Sequence, residues 1–142
     1  MRGPWVTAAD RDAAQRILGA AGRTLWLENE DAIDAVTAVS GSGPAYVFYF
    51  LEALEAAARA QGFDAEAARE LALQTTAGAV KLAAESSDAP ATLRARVTSK
   101  GGTTERGIAV LETRDMKAMV AEAVAAAARR SRELGDELGA DT

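Results

Sequence analysis

Gly43-Pro44-Ala45-Tyr46-Val47-Phe48-Tyr49-Phe50-Leu51 is the stretch on which the fold turns. Pro44 suits the first turn of a helix, where its fixed φ and missing N–H cost nothing. Residues 46 to 51 are all bulky and apolar or aromatic, and at 100° per residue they cover every face of that helix. The helix therefore has no wet side. Glu52 and Glu55 interrupt the run within three turns, too soon for it to cross a bilayer. Burying one such ring stabilises by about 1.5–3 kcal/mol, so several left in water would forfeit an amount comparable with the ~5–15 kcal/mol of a whole domain. Something must cover it. Either this is the central helix of a monomeric bundle or it meets a second copy of the chain, two-fold dimers being the commonest oligomers.

Downstream the pattern stays helical. Gly62 closes this helix, and Asp64 caps another that reaches about Glu85, with Ala68, Ala72, Thr76, Ala79 and Ala83 forming a ridge of small residues suited to close helix packing. A turn at residues 86 to 90 leads into a short helix with Leu93 and Val97 on one side. The last helix places Met116, Met119, Val120, Ala123, Val124, Ala127, Leu134 and Leu138 on one stripe, read as core, and is expected to fray beyond Gly135.

Between the last two helical patterns stands Val97-Thr98-Ser99-Lys100-Gly101-Gly102-Thr103-Thr104, with four hydroxyls, two adjacent glycines and a lysine. Thr103 and Thr104 fall where a helix through Ile108 and Leu111 begins, so free N–H groups and the positive end of its dipole converge there, which is the chemistry of an anion site. The same residues also read as plain punctuation, Gly-Gly closing one helix and Thr capping the next, and punctuation alone produces such a pattern more often. Arg94, Arg96, Lys100 and Arg106 cluster around the turn, consistent with an anion or with a solvated basic face.

Composition narrows the chemistry. The 142 residues suit one compact domain and include neither cysteine nor histidine, which removes thiolate nucleophiles, the common zinc-ligand sets and the usual neutral-pH acid and base; no metal site is expected. A net charge of -5 argues against a nucleic-acid partner. With no leader or membrane-spanning pattern visible and no cysteine, the expected location is the cytoplasm. Gly41 and Gly43 have the G-x-G spacing of a dinucleotide loop, but the third glycine position is Tyr46 and no strand-helix-strand unit surrounds them.

Residues 1 to 31 read differently. Thr7 can cap a helix with Ala14, Ile17, Leu18 and Ala21 on one stripe and Gly22 as its stop, and residues 24 to 28 suggest a short strand. A lone helix and strand have no sheet to join, so this piece reads as the end of a domain that begins elsewhere, with the exposed-looking Trp5 fitting that view; an irregular arm packed on the helices is the alternative.

Asp34-Ala35-Val36-Thr37-Ala38-Val39-Ser40-Gly41-Ser42-Gly43-Pro44-Ala45-Tyr46, the Pro90 to Leu93 turn, the Val97 to Thr104 block, residues 107 to 111 and Ala128-Arg129-Arg130-Ser131, in that order, resemble the C-terminal half of pyrroline-5-carboxylate reductase. The resemblance covers roughly residues 7 to 135 and implies a mainly α fold: a helical dimerisation and substrate-binding domain at residues 32 to 142, preceded at residues 1 to 31 by a helix-strand remnant of a Rossmann domain. It implies an enzyme that reduces 1-pyrroline-5-carboxylate to L-proline with NAD(P)H, the last step of proline biosynthesis, working as a homodimer or a higher oligomer. By resemblance Ser99, Gly102, Thr103 and Thr104 hold the substrate carboxylate, while the Thr104 hydroxyl faces the ring nitrogen as the catalytic relay or orienting donor. Hydride chemistry belongs to the cofactor. No cofactor-binding residue is carried onto this chain, which is expected to be inactive by itself. Many members have proline where this chain has Lys100, and no counterpart is assigned at Ser86, Ser87 or Asp88 for an acidic residue found there in some. A module that binds proline or a similar carboxylate without catalysis is the alternative function.

Overall fold

The computed structural model describes residues 6–29 and 31–140, and all of its regular structure is helical. Seven α-helices follow in order: α1 Ala8–Gly19, α2 Asp31–Val36, α3 Gly43–Ala60, α4 Ala65–Glu85, α5 Pro90–Arg96, α6 Thr103–Thr113 and α7 Met116–Ala140. A π-helical turn, Thr37–Gly41, joins α2 to the approach of α3. The mainly α expectation holds.

The chain divides into two compact units, residues 1–41 with 124–142 and residues 42–123. In the first, Thr7 and Asp10 form a reciprocal capping box at the start of α1. The Thr7 hydroxyl and the Thr7 N–H donate to Asp10 at 2.6 and 2.8 Å, and these two bonds hold the Asp10 carboxyl below its ordinary pKa. Ser131 on α7 donates to Asp34 on α2 at 2.6 Å, and beside that link Ala38 in the π-helical turn is fully buried. Further along α7, Arg130 bonds Glu137 and Glu133, which raises its pKa above the ordinary arginine value.

Residues 24 to 28 form no strand, which corrects the helix-strand reading of the N-terminal piece. A strand is completed by hydrogen bonds to a neighbouring strand, and the described residues include none to pair with. The segment is held to α1 by side chains instead. Arg11 stacks over the Trp26 ring at 4.6 Å, and Gln15 bonds both Thr24 and Trp26. Leu25 is 77% exposed. The expectation for Trp5 lies outside the described residues.

In the second unit α3 and α4 run against each other, and the small-residue ridge works over its first half only. Ala68 and Ala72 are fully buried and Thr76 is half-buried, whereas Ala79 and Ala83 are exposed. Gly62, at φ +99°, makes the turn between the two helices in a conformation that a Cβ would strain. Ala38, Ala68 and Ala72 are the fully buried apolar residues among those described. Phe48 and Tyr49 stay 62% and 75% exposed, Val80, Leu82 and Val110 are exposed as well, and the α7 stripe read as core is only partly covered: Met116, Val124 and Ala127 are half-buried, while Met119, Val120, Leu134 and Leu138 are exposed. The chain of 14.7 kDa exposes 11466 Å². A folded monomer of that mass exposes roughly 6,900 Å².

α7 does not fray at Gly135; it continues to Ala140. One internal glycine costs a helix only about 1 kcal/mol relative to alanine. No helix among the described residues is long and apolar enough to cross a membrane.

Candidate functional site

The segment between α5 and α6 is shaped by a few local bonds. Val97 ends α5, and the Thr98 hydroxyl turns back to donate to the Arg94 carbonyl at 2.7 Å. Gly101 takes φ +75°, a left-handed conformation suited to glycine. The Gly102 N–H donates to the Ser99 carbonyl at 3.0 Å, and a Cβ on Gly102 would meet that same oxygen at 3.0 Å. The turn thus favours glycine at 101 through its left-handed φ, and a side chain at 102 would crowd the Ser99 carbonyl. Gly102 is the N-cap residue of α6, extended at φ -83° and ψ 173°.

A glycine cap brings no side chain to the amides behind it. Among the described residues four other helix starts carry a side-chain acceptor: Thr7 caps α1, Asn29 accepts from Ala32 in α2, Asp64 caps α4 at 2.8 Å and Asp115 caps α7, while α3 and α5 have no side-chain cap and place a proline in the first turn. At α6 the N–H groups of Thr103, Thr104 and Glu105 have no acceptor within the described residues, since the first bond of the helix runs from Arg106 to the Gly102 carbonyl. The hydroxyls of Ser99, Thr103 and Thr104 are likewise without a partner there, and all three residues are exposed. Three amides and three hydroxyls thus share one exposed helix start, where the dipole favours negative charge.

Of the four cations clustered in the sequence, two are neutralised. Arg94 pairs with Glu112 of α6 at 2.8 Å, and Arg96 pairs with Asp88, whose carboxylate also accepts from the Ser86 hydroxyl. Lys100 and Arg106 form no ion pair among the described residues. One contact escaped the sequence reading: Glu105 Oε2 accepts the Gly101 N–H at 2.7 Å. The available signal was a glutamate three residues after the cap, but the capping-box pattern would send it to the cap residue's own N–H.

Two concavities contain none of residues 97 to 104. One, of about 480 Å³, lies between Val6–Ala8, Arg11 and residues 26 to 28. The other, of about 620 Å³, is lined by Ile108, Leu111, Met116 and Val120 with Arg94 and Lys117 at its edge. Gly41 and Gly43 sit where the π-helical turn gives way to α3, not between a strand and a helix, so this pair does not form a dinucleotide loop. No cluster of metal-ligating side chains occurs among the described residues.

Comparison with known proteins gives a consistent answer. Residues 30–134 match the family model described as pyrroline-5-carboxylate reductase dimerisation. A pyrroline-5-carboxylate reductase of Pseudomonas aeruginosa is 47% identical over 134 residues, covering 94% of this chain and 49% of that protein. The solved structure of a pyrroline-5-carboxylate reductase from Coxiella burnetii superposes with TM-score 0.88 at 40% identity, covering 93% of this chain and 49% of that one. A Plasmodium falciparum pyrroline carboxylate reductase, solved with NADP bound, gives TM-score 0.84 at 33% identity over 94% of this chain and 50% of its own. The chain spans about half the length of the curated relatives it matches.

Proposed function

This chain belongs to the pyrroline-5-carboxylate reductase family, through the family's dimerisation domain, and from that premise we propose that it forms the dimerisation and substrate-binding part of such a reductase, which converts 1-pyrroline-5-carboxylate to L-proline. Residues 32 to 142 are assigned to that part and residues 1 to 31 to the end of a dinucleotide-binding domain. The observation that carries the site is the start of α6, where the amides of Thr103 and Thr104 lack acceptors and neither a cap side chain nor a first-turn proline stands.

The substrate's carboxylate accepts hydrogen bonds from the Thr103 and Thr104 amides and from the Ser99 and Thr103 hydroxyls. Each hydrogen bond to a charged group contributes about 1.5–3 kcal/mol, and the helix terminus adds about 0.3–1 kcal/mol. Gly102 serves by lacking a side chain, which lets the carboxylate come close to these amides. Thr104 orients the ring nitrogen through its hydroxyl, which can donate or accept as the imine becomes an amine. NAD(P)H would supply the hydride.

The second copy completes the fold. Phe48, Tyr49, Val110 and Leu111 are part of what a partner would cover.

Calorimetric titration of the chain with L-proline tests the site. The wild type binds; Gly102→Ala, whose Cβ would press on the Ser99 carbonyl, binds at least about tenfold more weakly and remains a folded dimer, a loss of about 1.4 kcal/mol. Equal affinity in the two proteins would remove residues 99 to 104 from substrate binding.

A further inference from the structure

We propose that Glu105 is a positioning residue that both shapes the carboxylate site and limits its affinity, an inference that rests on the reading of residues 99 to 104 given above. Glu105 stands in the first turn of α6 and accepts the N–H of Gly101 at 2.7 Å. In a capping box the corresponding side chain would take the N–H of the cap residue. At α6 the cap residue's N–H is already held by the Ser99 carbonyl, so Glu105 reaches one residue further back and fixes the left-handed Gly101 instead. The turn is tied from its own helix, and the Thr103 and Thr104 amides stay uncovered.

This arrangement places a negative charge at the helix end that an incoming carboxylate would use. The fixed charge takes up part of the favourable field and repels the ligand. Glu105 thus has two effects that chemistry can separate. Holding Gly101 requires an acceptor oxygen, which glutamine also has; repelling the ligand requires the charge, which glutamine lacks. The charge weakens product binding, so the residue favours release of the amino acid after the loop has been shaped to receive it.

The test is calorimetric titration of the full chain and its Glu105→Gln and Glu105→Ala variants with L-proline and with L-prolinamide, at low salt and at about 1 M salt. Glu105→Gln should bind L-proline about three- to tenfold more tightly than the wild type at low salt, a gain that shrinks at high salt and is absent with L-prolinamide, which has no carboxylate to repel. Glu105→Ala should lose hydrogen-exchange protection at the Gly101 amide and fall below the glutamine variant in affinity, which restores the bond. Equal L-proline affinity in wild type and Glu105→Gln, or an equal gain for L-prolinamide, would overturn the inference while leaving the carboxylate site standing. Failure of the wild type to bind L-proline at all would overturn both.

Discussion

α4 and α6 both follow a glycine-containing turn, yet they begin and pack differently. α4 is closed by its own chain at its start: Asp64 caps it at 2.8 Å from the Ala67 amide, and Ala68 and Ala72 in its first half are fully buried, while Val80 and Leu82 further along stay exposed. α6 is capped by a glycine with no side chain to offer, leaves three amides open, and keeps Val110 and Leu111 exposed. A helix start that its own side chains close is structural punctuation. On the function proposed above, one left open while its apolar side is also bare would be completed from outside, by a ligand at its N-terminus and by a second chain along its length.

The largest expected effect tests the bare side. Leu111 is 42% exposed in the single chain, so if the chain worked alone Leu111→Glu would shift stability by no more than about 0.5 kcal/mol. If a second copy covers it, the charge must be buried twice per dimer, and the substitution should remove about 2–4 kcal/mol per chain and dissociate the dimer. Light scattering coupled to gel filtration, with thermal unfolding at several protein concentrations, distinguishes these results.

A smaller effect tests the closed start. Asp64→Ala removes the cap of α4 and should cost about 1 kcal/mol of stability in denaturant unfolding, with L-proline affinity unchanged. A change in affinity would mean that the two helix starts are coupled and the contrast between them is false.

The smallest effect belongs to α1. Asp10 has a folded-state pKa depressed by its bonds to Thr7, so its contribution to stability is present above the unfolded value near ~3.9 and is lost as pH falls through the lower folded value. Helicity of α1, followed by amide chemical shifts, should fall over that acid range, and Thr7→Ala should move the loss to higher pH. An unchanged acid profile in Thr7→Ala would show that the capping box carries none of it.

Features that depend on a few neighbouring residues were legible in the sequence. Thr7, Asp64, Pro44 and Pro90 mark helix starts because a cap or a proline acts within one turn. Residues 24 to 28, with Leu25, Trp26 and Leu27 in a row, suggested a strand, but a strand also needs a partner, and the described residues include none. The stripe through Met119 and Leu138 identified an apolar helix face correctly but not what covers it: periodicity reports which side avoids water, and in this chain both residues are exposed. At the site, glycine and threonine spacing located the turn and the start of α6. It could not show that Glu105 would bypass the cap for Gly101, because that depends on the Ser99 carbonyl having already engaged the cap's N–H.

The central claim is that the open amides of α6 receive a carboxylate. Titration of the ¹⁵N-labelled chain with L-proline, followed amide by amide, tests it most directly. The account predicts saturable shifts largest at Thr103, Thr104 and Glu105, absent with L-prolinamide and absent at the closed start of α4. Unmoved resonances at Thr103 and Thr104 at saturating L-proline, or equal movement at Ala65–Ala67, would contradict it.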